Sequence, residues 1–368
     1  MVMGLSMSSL MRAAVVALGA ALVLGAGASN APADAFYKGK RITLLINYGA
    51  GGPADIEGRV FAKHLARLID GNPSVIVQNM DGAGGLVGTS YLGEVAPRDG
   101  TMVGHLTGVA WRVANDPSRL RVDFKTFPFI AYQPSTTVYY VRTDVAPGLK
   151  VATDIVKAQH VISGGLGADS GKDLLIRLGL EILGVPNRHI SNYRNSAQAR
   201  LALQRGEIQF YSESPPSYRS VVHTGIVKEG LAIPVWHDPD FDGDKQLASK
   251  QVADLEIPVY HELHRAITGK LPSGPLWDAF RTIRTISGPM LRVVALPPGA
   301  PPAATEALRA AVARLSDDKA YTDDAMKALG FVPDYATGPD VGRVVLEALT
   351  VRPEMRAFIA DYVRKGSK

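Results

Sequence analysis

Residues 42–59 read Ile42-Thr43-Leu44-Leu45-Ile46-Asn47-Tyr48-Gly49-Ala50-Gly51-Gly52-Pro53-Ala54-Asp55-Ile56-Glu57-Gly58-Arg59, and this stretch decides the fold. Ile42 to Ile46 is a short apolar, β-branched run, the pattern of a strand buried on both faces. Gly49, Gly51 and Gly52 let the backbone turn sharply and present N–H groups with no Cβ in the way. Pro53 suits the first helical position, where its missing N–H would be unpaired in any case. Ile56, Val60, Phe61, Leu65 and Leu68 then repeat at helical spacing. A strand, a glycine turn and a helix start make an anion pocket, from free N–H groups and the positive end of the helix dipole. A tight turn with no ligand is the bland reading of the same residues.

Two further units follow. Ser74 to Gln78 reads as a strand ending in Asp81-Gly82-Ala83-Gly84-Gly85, with a helix from near Leu86. Met102 to Leu106 is a third strand, ending in Thr107-Gly108. Three βα units that each end in a small-residue loop predict a parallel sheet with those loops at one edge.

Farther on, Val161-Ile162-Ser163 ends a strand, and Gly164, Gly165 and Gly167 form another glycine loop. Ser170 and Asp173 fit a capping box opening a helix with Leu174, Leu175, Leu178 and Ile182. Ser170 either caps only or caps and contacts ligand. Tyr193 is expected to end the next strand. Asn195 or Ser196 caps a helix closed by Gly206, and Ile208 to Tyr211 is a strand with Glu213 just beyond it. Phe241-Asp242-Gly243-Asp244-Lys245 is a turn-rich insertion without calcium-loop spacing. Helices are expected at 303–315, 318–329 and after Pro339 and Pro353, packing on the first lobe.

Met1 to Ala35 has Arg12, an uncharged apolar run and Ala33-Asp34-Ala35, the pattern of a signal peptide cleaved near Ala35. The protein is therefore expected to be exported, periplasmic and soluble. The 368 residues contain no cysteine, which excludes disulfides, thiol chemistry and a lipoprotein anchor. A net charge of +5 from scattered Lys and Arg favours acidic small ligands and gives no support to nucleic-acid binding.

The order Tyr37-Lys38-Gly39-Lys40, Tyr48 to Gly52 with Asp55, Val77-Gln78-Asn79 with Gly82 to Gly85, and Ala96-Pro97-Arg98-Asp99-Gly100-Thr101 resembles the extracytoplasmic receptors of tripartite tricarboxylate transporters, the Bug or TctC family. The resemblance extends through Ser163 to Gly165, Tyr193-Arg194, Gly206-Glu207-Ile208 and Leu296 to Pro301. It implies an α/β, two-lobed, type II-like periplasmic-binding-protein (Venus-flytrap) fold without catalysis or cofactor. Lobe 1 would hold residues 36–135 plus 236–368 and lobe 2 residues 136–235. The implied partners are a small carboxylate ligand and the membrane subunits of a tripartite tricarboxylate transporter, with the receptor itself a monomer. An exported sensor without a transporter is the alternative.

Rival chemistries fail on spacing. Gly49 to Ala54 formally satisfies a dinucleotide-binding G-x-G-x-x-A, but glycine turns are common and export argues against a dissociable nicotinamide. His261 and His264 are three apart, not the four of a zinc helix pair, and read as surface histidines. Gly167 to Gly171 misses the nucleophile-elbow spacing. A carboxylate instead needs N–H donors and hydroxyls in a low-water cleft.

The loops at 49–52, 82–85 and 164–167, with Tyr48, Ala50, Ala83, Thr107, Ser163, Ser170 and Tyr193, supply those donors. Asp55, Lys172, Ser196 and Glu213 complete the candidate set. The resemblance implies a ligand carboxylate held between Gly49–Gly52 and Gly82–Gly85, partly through water. A lysine in a first helical turn opposes the dipole. Lys172 therefore either swings into solvent, the case its helix position favours, or leans over the cleft.

Overall fold

The computed structural model describes residues 35–365; the leader expected at 1–35 lies outside them except for its last residue. The strands are β1 Arg41–Ile46, β2 Ser74–Asn79, β3 Met102–Thr107, β4 Phe129–Gln133, β5 Val138–Arg142, β6 Val161–Gly164, β7 Asn187–Ile190, β8 Phe210–Glu213, β9 Ala232–His237, β10 Asp240–Asp242, β11 Lys245–Leu247, β12 Arg292–Ala295 and β13 Ala336–Thr337. The helices that matter here are α1 Pro53–Leu68, α2 Leu86–Glu94, α3 Val109–Asn115, α4 Gly171–Ile182, α5 Ser196–Gln204, α6 Tyr260–Thr268, α7 Pro275–Ser287, α8 Pro302–Ala313, α9 Lys319–Leu329, α10 Val341–Ala348 and α11 Pro353–Lys365.

Two sheets form. The first has the order β13-β4-β12-β3-β1-β2 and the second β7-β6-β8-β5-β9. β1 pairs parallel with β2 and β3, as the three βα units predict, while β12 runs antiparallel between β3 and β4. The second sheet repeats this plan: β6 is parallel to β7 and β8, and β5 is antiparallel to β8 and β9. In each sheet the strand that runs antiparallel between two neighbours is the first of that sheet after the chain crosses over, and β13 adds a short antiparallel pairing to β4. This is the two-lobed α/β architecture the resemblance implies.

The crossings lie side by side. Asp238 N–H donates to Thr137 O and Thr136 Oγ1 donates to Asp238 O, each at 3.0 Å. Helices α8 and α9 cover the first sheet through Leu308, Ala311, Tyr321 and Leu329, in one cluster with Ile42 and Phe61. Helices α6 and α7 pack differently. Tyr260 donates to Gly179 O of α4 at 2.8 Å, and Ile283 and Ser287 of α7 face Gly171 at the start of α4. Even α11 reaches α4, where Tyr362 donates to Glu181 at 2.7 Å. The second sheet is thus covered partly by helices that follow the return crossing, packing that the local pattern does not reveal.

Several local expectations change. β8 spans Phe210–Glu213, so Glu213 ends that strand and does not lie beyond it. β7 ends at Ile190 and Tyr193 sits in the loop after it. His261 and His264 are buried, not surface residues, because α6 is sandwiched in the core; His264 Nδ1 lies 2.8 Å from Lys270 O. The insertion forms the hairpin β10–β11 around Gly243, where φ is +57°.

Asp238, fully buried at the crossing, has neither carboxylate oxygen hydrogen-bonded, and the Arg284 guanidinium lies 4.0 Å away. Burial pushes its carboxyl up to about 6. A carboxyl with a raised folded-state pKa binds its proton more tightly in the native protein. Stability from this group is therefore full below the unfolded pKa and falls as pH rises toward 6. Asp238→Asn should add roughly 1–3 kcal/mol at pH 7 and little at pH 4. Urea melts at the two pH values test this; equal gains, or a loss at pH 7, would reject it.

Candidate functional site

The strand ends and helix starts of both sheets meet at one cleft. It is lined by Pro53 and Ala54 at the start of α1, Gly108 before α3, Gly171 and Lys172 opening α4, and Asn195 and Ser196 at α5. The first N–H groups of a helix have no partner within it. Their convergence, with the positive dipole ends, makes the cleft a place for negative charge.

Buried side chains hold the loops rigid. Asn47 donates to Gly85 O and Thr107 O at 3.1 Å and accepts from Thr107 N–H at 2.8 Å, tying the ends of β1 and β3 to the loop before α2. Asp55 accepts from Gly51 N–H and Asn79 Nδ2 at 3.0 Å, and Arg59 lies 2.9 Å away. In the second lobe Asp173 does the same for residues 164–170. Its carboxylate accepts from Leu166 N–H at 2.9 Å, Gly167 N–H at 3.1 Å, Ser170 Oγ at 2.7 Å and Ser191 Oγ at 3.1 Å, with His189 Nε2 at 2.9 Å. Burial would raise the Asp173 carboxyl, but His189 and these donors hold it below its ordinary value. Ser170 does cap α4, accepting from Asp173 N–H at 3.1 Å, yet the Asp173 side chain serves the loop where a capping box would have it bond the Ser170 N–H.

Of the predicted residues, Tyr48, Gly49, Gly52, Thr107, Ser170, Lys172 and Ser196 line the cleft. Ala50 and Gly51 are exposed and do not line the cleft; the Gly51 N–H is committed to Asp55 and its α-carbon faces Ala197 of the other lobe. Gly82, Ala83 and Gly84 line a neighbouring pocket with Tyr193, while Gly85 is buried against Asn47. Tyr48 stands between that loop and the cleft, its hydroxyl donating to Gly84 O at 2.8 Å. Ser163 bonds His189 at 2.8 Å, Gly164 is buried against Ile208, and Gly167 lies beside Arg112. Glu213 is buried against Arg200 at 2.7 Å.

Lys172 does not swing into solvent. It is partly buried in the cleft wall, Nζ donating to Tyr211 Oη at 2.9 Å and Ser196 Oγ at 3.4 Å and lying 4.0 Å from the Tyr211 ring centre. Burial pulls its ammonium down to about 8.

Sequence reasoning missed Arg292, Trp111, Thr137 and Ser214, all of which line the cleft. Arg292 left a readable signal, a lone arginine heading the apolar run Val293-Val294-Ala295-Leu296, because such a residue is buried only for a reason. Trp111 lies under the cleft, and its Nε1 donates to Asp169 O of the other lobe at 3.1 Å. Arg112 and Arg119 pair with the Asp169 carboxylate at 2.8 and 2.7 Å, and Arg194 with Asp81 at 3.1 Å. The lobes are therefore in direct contact beside the cleft. Among the described residues no cluster of His, Asp and Glu suits a metal, and no helix is long and apolar enough to cross a membrane.

No family model matches the chain. It is 29% identical over 211 residues to a UPF0065 protein of Cupriavidus necator, covering 55% of this chain and 62% of that protein. A UPF0065 protein of Agrobacterium vitis is 25% identical over 278 residues, covering 70% and 78%. The chain thus spans about three fifths of the first of these relatives. Among solved structures, periplasmic binding protein BugD superposes with a TM-score of 0.63 at 18% identity, covering 90% of this chain and 99% of that one. MatC from Rhodopseudomonas palustris with bound malate gives 0.62 at 18%, covering 87% and 99%. A TctC solute-binding protein from Polaromonas gives 0.52 at 23%, covering 89% and 99%.

The fold is that of the Bug and TctC binding proteins. The resemblance carried by the loop order and the one found by comparison are the same. In this Bug/TctC fold the cleft between the sheets is where the polar lining, the helix starts and Lys172 coincide.

Proposed function

We propose that this chain is an extracytoplasmic solute-binding protein that captures a small organic acid for a tripartite tricarboxylate-type transporter. The observation that carries it is the cleft lining: helix N-termini, hydroxyls and the ammonium of Lys172 face one enclosed space. No Asp or Glu is among its lining residues. Such a surface attracts an anion. The reading includes no catalysis, a periplasmic location after cleavage near Ala35, and a monomer with lobes at 36–135 plus 236–368 and 136–235. The malate in the MatC structure supports an acid as ligand.

A thermal-shift screen of the purified protein against organic acids tests it. An acid present at 100 times its dissociation constant should add about 2.7 kcal/mol of stability and raise Tm. A response confined to neutral or cationic solutes, or consumption of the bound acid, would overturn the proposal.

A further inference from the structure

Beside the cleft, one junction between the lobes is built into the glycine loops. Arg112 of α3, in the first lobe, has a side chain only 4% exposed and places Nη1 2.8 Å from Asp169 Oδ1 of the second lobe. Arg119 reaches Asp169 Oδ2 at 2.7 Å, and Trp111 Nε1 donates to Asp169 O at 3.1 Å. A Cβ at Gly84 would lie 2.1 Å from Arg112 Nη2, and one at Gly167 would lie 2.8 Å from the same atom. Glycine at both positions leaves a slot in which the guanidinium lies between a loop of each lobe. Gly84 and Gly167 thus make room for a side chain of the protein itself.

Magnitudes single out this junction. Arg194 and Asp81 also cross between the lobes, but Arg194 is 70% exposed, and such pairs contribute little. Bringing charges out of water is favourable only where the geometry is good and the lone pairs are served. Asp169 has a guanidinium on each carboxylate oxygen and keeps 21% exposure, so its desolvation is incomplete. Arg112 Nη2, buried without an acceptor, opposes this.

We propose that Arg112 and Asp169 form a clasp that holds the lobes together with no solute bound. Its partners are all protein groups, so the inference goes beyond the organic-acid reading and does not depend on which solute the cleft takes. Entry and release both pass through breaking of the clasp. Arg112 is a positioning residue: it is not among the residues lining the cleft, yet it sets how long the lobes stay shut.

The cysteine-free chain allows a direct test. A Cβ at Gly52 would stand 3.9 Å from Ser196 Cβ of the other lobe, the spacing of a disulfide. Gly52 has φ −92°, a conformation open to any residue. Gly52→Cys with Ser196→Cys therefore reports closure. The protein is unfolded in urea, dialysed and refolded to strip bound solute, then oxidised with glutathione disulfide. In this background the crosslink should form with no solute added. Adding Asp169→Asn should lower the ratio of closed to open forms roughly 10- to 100-fold, the scale of a hydrogen bond to a charged group, and slow crosslinking with it. Gly167→Ala, which changes no charge but sets a methyl against the guanidinium, should slow it too. Arg119→Gln, at a half-exposed side chain, should slow it less. Far-UV circular dichroism should be the same in all of these, because each lobe keeps its own fold. Crosslinking as fast with Asp169→Asn as without it would overturn the clasp. So would a parent pair that crosslinks only once malate is added. Either result leaves the acid-binding reading standing.

Discussion

Asp173→Ala is expected to cost about 3–5 kcal/mol of stability, the scale for removing one partner of a buried, charged hydrogen-bonded group. The residue is fully buried and holds two loop N–H groups, two serine hydroxyls and His189 at once. Alanine leaves all of these buried without an acceptor, and the loop from Gly164 to Ser170 loses the anchor that places Ser170 and the start of α4 against the cleft. Ligand affinity should therefore fall along with stability, even at a temperature where the variant is folded. The pH dependence carries a second signature. A carboxyl held below its ordinary value in the folded state contributes stability above that value, and loses it as pH falls through the folded pKa. The wild type should weaken below pH 4 by an increment that the variant lacks. Urea titrations at pH 7 and pH 3 measure both effects; a cost under 1 kcal/mol would show that the loop is held elsewhere.

How much of this was legible beforehand follows from the range of the forces involved. The opening βα unit could be read because its signals are local: β-branched run, glycine turn, Pro53 at the first helical position and a helical stripe. The cap by Asn195 could be read for the same reason, its side chain accepting from Gln198 N–H at 3.0 Å. The site was only half legible. Glycine loops mark where backbone turns, but not which N–H groups remain free, and that of Gly51 is taken by Asp55.

Lys172 was misjudged because helix-dipole reasoning places the charge along the axis alone. The Tyr211 ring and the Ser196 hydroxyl, contributed from 39 and 24 residues away, supply the environment that keeps it in the wall. The packing of α6 and α7 on the second lobe is the same kind of omission. Nothing near residues 260–287 encodes which sheet they will cover; the aromatic residues that decide it lie in β5, β8 and β9 as well as in the helices.

Those aromatics set the other large effect: Trp236→Ala should cost about 3–5 kcal/mol, the range for truncating a fully buried tryptophan. Trp236 stacks on Tyr139 at 4.9 Å, packs on Phe210 at 5.2 Å and meets the edge of Tyr260 at 5.3 Å. Tyr260 in turn stacks with Phe280 at 5.0 Å and Trp277 at 5.8 Å. One side chain of β9 therefore joins the second sheet to both helices that follow the return crossing. The indole N–H has no acceptor, so the loss is of packing and buried area and not of a hydrogen bond. Because α7 also lies against Gly171 at the head of α4, a cavity at Trp236 should loosen the second lobe's side of the cleft. Hydrogen exchange should then speed up in β9, α6 and α7 before it changes in β1 or α1. Val95→Ala, at a side chain 67% exposed, is the control and should shift stability by no more than about 0.5 kcal/mol. If Trp236→Ala costs no more than that control, residues 260–287 do not share a core with the second sheet.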